Sequence, residues 1–141
     1  MDILTKEILY KKTSQELTAL LYEALLDHLE AAKLLIIKNQ FLKANEKLQR
    51  CNDILQRLGV GLKYEAGPIA EQLDGIYNYL AKQIILANRK KDYVLIEEVL
   101  QVLVPIVQAW NKAMKMNHAA PSESARKLST YESQIMRQTN S

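Results

Sequence analysis

Apolar residues recur at three- and four-residue steps through most of this chain, and no other feature restricts its fold as strongly. Residues 73–92, LDGIYNYLAKQIILANRKKD, show the pattern most clearly, with Leu73, Ile76, Tyr77, Leu80, Ile84 and Ala87 in phase. That spacing matches the 3.6-residue period of an amphipathic helix. It predicts four helices, at about 14–37, 41–58, 68–88 and 93–115. Four glycines and three prolines in 141 residues also favour long helices over a turn-rich β fold. The polar break at Lys38, Asn39 and Gln40 is short and implies antiparallel neighbours. The expected fold is all-α: an antiparallel four-helix bundle over 13–115, a short N-terminal arm at 1–12 and a polar, flexible C-terminal tail at 116–141.

Boundary signals set the expected ends. Thr13-Ser14-Gln15-Glu16 fits a capping box before the first helix, and Gly59-Val60-Gly61 is expected to close the second. Gly67-Pro68 restarts the third, and Asp92 is placed to cap the fourth. Pro105 lies inside the fourth segment, where it removes one backbone hydrogen bond, so a bend or an early end is expected there. The arm, helical or extended, carries Ile3, Leu4, Ile8, Leu9 and Tyr10, which need somewhere to dock.

The apolar surface exceeds what one core requires. On the third helix Tyr79 stands two residues from Tyr77, roughly 200° around the axis, with Gly75 and Leu86 returning to its side. On the first, Leu17, Leu21, Leu25, His28 or Leu29, Ala32 and Ile36 form one stripe, yet Leu20, Tyr22, Ala24, Leu26 and Leu35 widen it. The fourth segment is the most apolar. The second is narrower, with Phe41, Ala44, Leu48, Cys51, Leu55 and Leu58 in phase and charged residues facing away. An excess of this kind marks either a central helix or an exposed groove.

Little in the sequence suggests chemistry. There is no Gly-rich phosphate loop, no CxxC, no HExxH, and no Glu-x-x-His pair of the di-iron type. His28 lies in an apolar helix without a partner that would make it a catalyst, so no catalytic residue, metal or cofactor is expected. A net charge of +3 with interspersed Lys and Glu gives no nucleic-acid stripe. Arg89-Lys90-Lys91 is the one tight basic cluster, and a helix C-terminus accounts for it. The lone Cys51 sits on an apolar stripe and suits a reducing compartment as a buried, inert thiol. No signal peptide and no uninterrupted apolar run of about 20 residues is evident, so a cytoplasmic protein without membrane insertion is expected.

Several short pieces, in order and spacing, resemble the FliS family of flagellar secretion chaperones. They are Tyr10 to Thr13; Glu16-Leu17 and Leu21-Tyr22-Glu23; Asn52-Asp53-Ile54-Leu55 with Leu58; Leu73-Asp74, Ile76-Tyr77 and Tyr79; Ala87-Asn88 to Lys91-Asp92; and Ala109-Trp110. The resemblance runs from about residue 10 to 113. It implies a four-helix bundle that holds the disordered C-terminal segment of flagellin and blocks premature filament assembly, with the export apparatus as a further partner.

Under this reading the partner-facing residues are Ile8, Tyr10, Leu21, Tyr22, Gly75, Tyr79 and Leu86. Leu48, Leu55, Tyr77, Leu80 and Trp110 are expected in the core. The free chain is expected as a monomer, with a homodimer as the alternative state. The rival function is a bundle that uses its apolar surplus to self-associate, as a structural or regulatory oligomer.

Overall fold

The computed structural model describes the backbone of residues 3–65 and 67–119, with side chains for 14–62 and 67–116. Four helices carry the chain: α1 (Ile3–Ile37), α2 (Phe41–Glu65), α3 (Ala70–Lys90) and α4 (Tyr93–Ala119), with a single 3-10 turn at Gly67–Ile69 before α3. No strand occurs among the described residues. Residues up to Val107 form one compact unit, which contains the bundle core; Gln108 onward belongs to a second.

The two tight connections use the same device. Asn39 takes a left-handed conformation (φ 59°) after α1, and Gln40 N–H donates back to the Leu35 carbonyl at 2.8 Å. Lys91 does the same after α3 (φ 53°), with Asp92 N–H donating to the Ala87 carbonyl at 3.1 Å. These bonds satisfy carbonyls that a helix end leaves open and turn the chain back within a few residues. Asp92 then caps α4 through a 2.9 Å bond from Val94 N–H to its carboxylate, as the sequence predicts. Asn88 donates to Asn45 at 2.6 Å and accepts from Lys91, tying the second turn to the start of α2.

Three boundaries differ from expectation. Helix α1 begins at Ile3, so the arm is helical from that residue and Thr13 to Glu16 lie inside a helix rather than at its start. Helix α2 runs through Gly59 and Gly61 to Glu65. Leu55, Leu58 and Leu62 are all buried, so the apolar stripe continues across the glycines. Each fully buried leucine contributes about 1.5–3 kcal/mol, which outweighs the roughly 1 kcal/mol that a helical glycine costs. Helix α4 does not end early at Pro105 but runs to Ala119, so Met116 to Ala119, expected in the flexible tail, are helical. Pro105 and Gln101, whose carbonyl loses its helical partner, are both exposed, so water can replace the missing N–H. The remainder of the expected tail, 120–141, lies outside the described residues.

The core is built from one face of each helix. It includes Leu25, Leu29 and Ala32 from α1, Leu48, Cys51 and Leu55 from α2, Leu80, Ile84 and Ala87 from α3, and Ile96, Val99 and Leu103 from α4. Through its interior runs a hydrogen bond between the hydroxyls of Tyr22 on α1 and Tyr77 on α3, both almost fully buried. At the surface Lys33 pairs with Glu97 at 3.4 Å, joining α1 to α4 at a worth of roughly 0–1 kcal/mol. Although polar residues interrupt it, Tyr93–Met116 is by length and composition alone long and apolar enough to cross a membrane. In this bundle one face of that helix, with Ile96, Val99, Leu100, Leu103 and Val107, is buried.

The tyrosine pair gives a quantitative expectation. Tyr22→Phe and Tyr77→Phe are each expected to lower unfolding free energy by about 0.5–1.5 kcal/mol, and the double variant by less than the sum. Urea denaturation of the four proteins in the cycle measures this; strict additivity would mean that the two hydroxyls do not act as a pair.

Candidate functional site

Filling the core leaves a large apolar remainder on the surface. Leu17 and Leu20 on α1, Tyr79 and Ile85 on α3, and Val94 and Val102 on α4 are all exposed, Leu20 at 65%. A second group surrounds the α1–α2 turn: Leu34, Ile37, Phe41 and Leu42, the last 81% exposed. Single exposed apolar residues are ordinary; so many on three helices make this surface the candidate site.

The expected partner-facing residues separate into three groups. Tyr79 is half exposed, Gly75 is exposed, and Leu21 and Leu86 are half-buried. Ile8 and Tyr10 lie on the backbone of α1, and their side chains lie outside the described residues. Tyr22 is a correction. It is 1% exposed, and its hydroxyl is committed to Tyr77, so its ring belongs to the interior and offers no surface to a partner. Of the expected core residues, Leu48, Leu55, Tyr77 and Leu80 are buried, whereas Trp110 is only half-buried and belongs to the second unit.

Sequence reading misplaced two further residues. Leu17 and Phe41 are in phase with inward stripes but are exposed, because each stands near the edge of the face that its helix buries. Ile85 and Leu42 received no role, although Ile85 follows the buried Ile84 on a different side of α3 and Leu42 lies with Phe41 at the exposed start of α2. Gly75 has no heavy atom within 4 Å of where a Cβ would stand, so no intramolecular contact requires a glycine there.

The exposed residues that make up this surface are predominantly apolar. No group of His, Cys, Asp and Glu suited to a metal occurs among the described residues. Burial pushes the Cys51 thiol up to about 12, so it stays protonated and unreactive at neutral pH. His28 is held below its ordinary value of 6.5, first by partial burial and then by Lys47 and Arg50, with Asp27 opposing.

The architecture can be set beside known proteins. A family profile described as "Flagellar protein FliS" matches residues 5–117, most of the chain. This chain belongs to the FliS family. It is similar to the flagellar secretion chaperone FliS of Bacillus subtilis, 26% identical over 103 residues, which cover 73% of this chain and 77% of that one. The Salmonella typhimurium protein of the same name is 29% identical over 99 residues, covering 69% and 73%. The Vibrio cholerae protein is 34% identical over 68 residues, and the match spans only half of that relative's length. The FliS profile covers the Tyr22–Tyr77 pair, the Asn88–Asp92 turn and all the exposed residues discussed above.

The lowered His28 pKa leads to the expectation that this FliS-family bundle loses some stability in mild acid. Because its folded pKa is lowered, the unfolded chain binds the proton more readily. Stability is therefore full above about pH 6.5 and declines as pH falls from there towards the lower folded value. Thermal melts between pH 7.5 and 5.5 are expected to show this decline, and His28→Gln is expected to flatten it. An equal decline in the variant would place the effect elsewhere.

Proposed function

We propose that this chain is a flagellin-specific export chaperone of the cytoplasm. It binds the disordered C-terminal segment of flagellin along apolar helical grooves, prevents premature polymerisation and keeps the subunit competent for secretion. The observation that carries this reading is the apolar surplus on α1, α3 and α4, left after the core is full, in a chain of the FliS family. The names of the three relatives, each a flagellar secretion chaperone, support the same reading.

The physical logic is that of helix-in-groove recognition. A disordered segment has no core of its own, and an amphipathic helix forms when a partner covers its apolar face. Folding on binding typically buries ~1,000–3,000 Å² and loses several kcal/mol to ordering, so an extended surface serves better than one pocket. Exposed leucines, valines and Tyr79 spread over three helices supply such a surface. The role is binding rather than catalysis, with the export apparatus as the partner that receives the loaded subunit.

The test is calorimetry of the full chain with full-length flagellin and with flagellin lacking its C-terminal segment. Tight one-to-one binding is expected for the first and none for the second; equal affinity for both would sink the proposed site. Light scattering of the chain alone addresses self-association: a stable oligomer that ignores flagellin would favour the rival reading. Tyr79→Ala is expected to weaken flagellin binding more than folding. Gly75→Ala is expected to stabilise the helix by up to about 1 kcal/mol while weakening binding. Unchanged binding in both variants would remove the α3 face from the interface.

A further inference from the structure

The exposed apolar residues around the α1–α2 turn differ from the rest of the apolar surface in one respect: they alternate with cations. Residues Ile37 to Lys43 are all exposed, Leu42 at 81%. The α3–α4 turn lies at the same end of the bundle. The 2.6 Å bond from Asn88 to Asn45 joins the end of α3 to the start of α2, and the Lys33–Glu97 pair joins the end of α1 to the start of α4. Arg89, Lys90, Tyr93 and Val94 are exposed there as well. Across 34–43 and 88–94 stand five cations, Lys38, Lys43, Arg89, Lys90 and Lys91, against one carboxylate, Asp92. That local excess is larger than the net charge of +3 on the whole chain. The next carboxylates, Glu30, Glu46, Glu97 and Glu98, stand a turn or more inward, Glu97 paired with Lys33. A helix dipole favours cations in the last turn of α3, but it disfavours Lys43 in the first turn of α2, a turn without any acidic residue. Helix stability therefore does not account for this charge.

An occupant of this end must bring negative charge and also accept apolar side chains. A second copy of the chain would bring the same positive end to the contact, and like charges repel. Residues 1–13 and 120–141 each carry three basic and two acidic residues, so neither segment is an acidic complement. An acidic partner helix docks in a groove with walls, and a leucine as exposed as Leu42 stands between none. An anionic lipid surface needs no walls. Its headgroups attract the cations, its headgroup–acyl boundary accepts aromatic and aliphatic side chains, and lysine stems lie along apolar surface while their ammonium groups reach phosphate. We propose that the end of the bundle formed by the α1–α2 and α3–α4 turns docks on anionic lipid bilayers. Ile37, Phe41 and Leu42 enter the interface, and Lys38, Lys43, Arg89 and Lys90 meet the headgroup phosphates. No helix crosses the bilayer in this arrangement.

Co-sedimentation of the full chain with extruded vesicles tests this. Binding is expected to phosphatidylcholine vesicles that contain about 30% phosphatidylglycerol, and at least about tenfold weaker binding to pure phosphatidylcholine. It should fall steeply as salt rises from about 0.1 to about 1 M, because the Debye length shrinks from ~10 to ~3 Å. Leu42→Ser is expected to weaken binding about fivefold, through lost burial in the interface. The triple variant Lys38→Gln, Lys43→Gln, Lys90→Gln is expected to weaken it at least about tenfold. All four side chains are exposed, so melting temperatures should match wild type. Val60→Ser removes an exposed apolar residue further along α2, away from this end, and is expected to leave vesicle binding unchanged.

No sedimentation with the anionic vesicles, equal sedimentation with neutral ones, or an equal loss in Val60→Ser would overturn the proposal. A glutamate- and leucine-rich amphipathic peptide supplies the remaining arm. If that peptide binds wild type but not the lysine variant, and anionic vesicles bind neither, the end belongs to an acidic protein and the lipid proposal is overturned. No flagellin enters the assay, so its outcome does not depend on the chaperone reading.

Discussion

The hydroxyl–hydroxyl bond between Tyr22 and Tyr77 is the contact on which the rest of this bundle depends. It joins α1 to α3, two helices that both pack closely on α2, and it does so where almost no water reaches. Two phenol rings fill space as core residues do, but each brings a hydroxyl that must find a partner when buried. Joining the two meets part of that demand and fixes the rotation of both helices about their axes. Apolar packing alone tolerates small rotations; a buried hydrogen bond between named atoms does not.

That rotation decides what remains outside. With Tyr77 turned inward, Tyr79 must face away, and Gly75 and Ile85 are exposed as well. With Tyr22 inward, Leu20 is left exposed on α1. The exposed apolar surface proposed to bind the client is thus the complement of the core, set by the same helix orientations. Helix α4 follows the same rule: Ile96, Val99, Leu103 and Val107 go in, and Val94, Val102 and Pro105 stay out. A proline that would be costly in a buried helix face is tolerated where the carbonyl it orphans can meet water.

Much of this was legible in the sequence. The four helices, the turns at Asn39 and Lys91, the Asp92 cap and the opposite directions of Tyr77 and Tyr79 follow from periodicity and local hydrogen-bonding chemistry. The errors came where a local signal met a longer one. Gly59 and Gly61 read as a helix end, but Leu58 and Leu62 stand one turn apart across them, and burying both outweighs two weak positions. Thr13 to Glu16 read as a start, but the same residues are acceptable inside a helix, and no breaker lies between Ile3 and Ser14. Tyr22 could not be placed by pattern, because α1 is apolar on most sides and its partner hydroxyl is 55 residues away.

The central claim is that the exposed apolar faces exist so that a disordered client can fold on them. Circular dichroism and hydrogen exchange of the flagellin C-terminal segment, free and bound to the full chain, test it most directly. The account predicts a segment without stable helix when free that gains helical signal and amide protection along its length in the complex. Binding without any gain in helix or protection would contradict it.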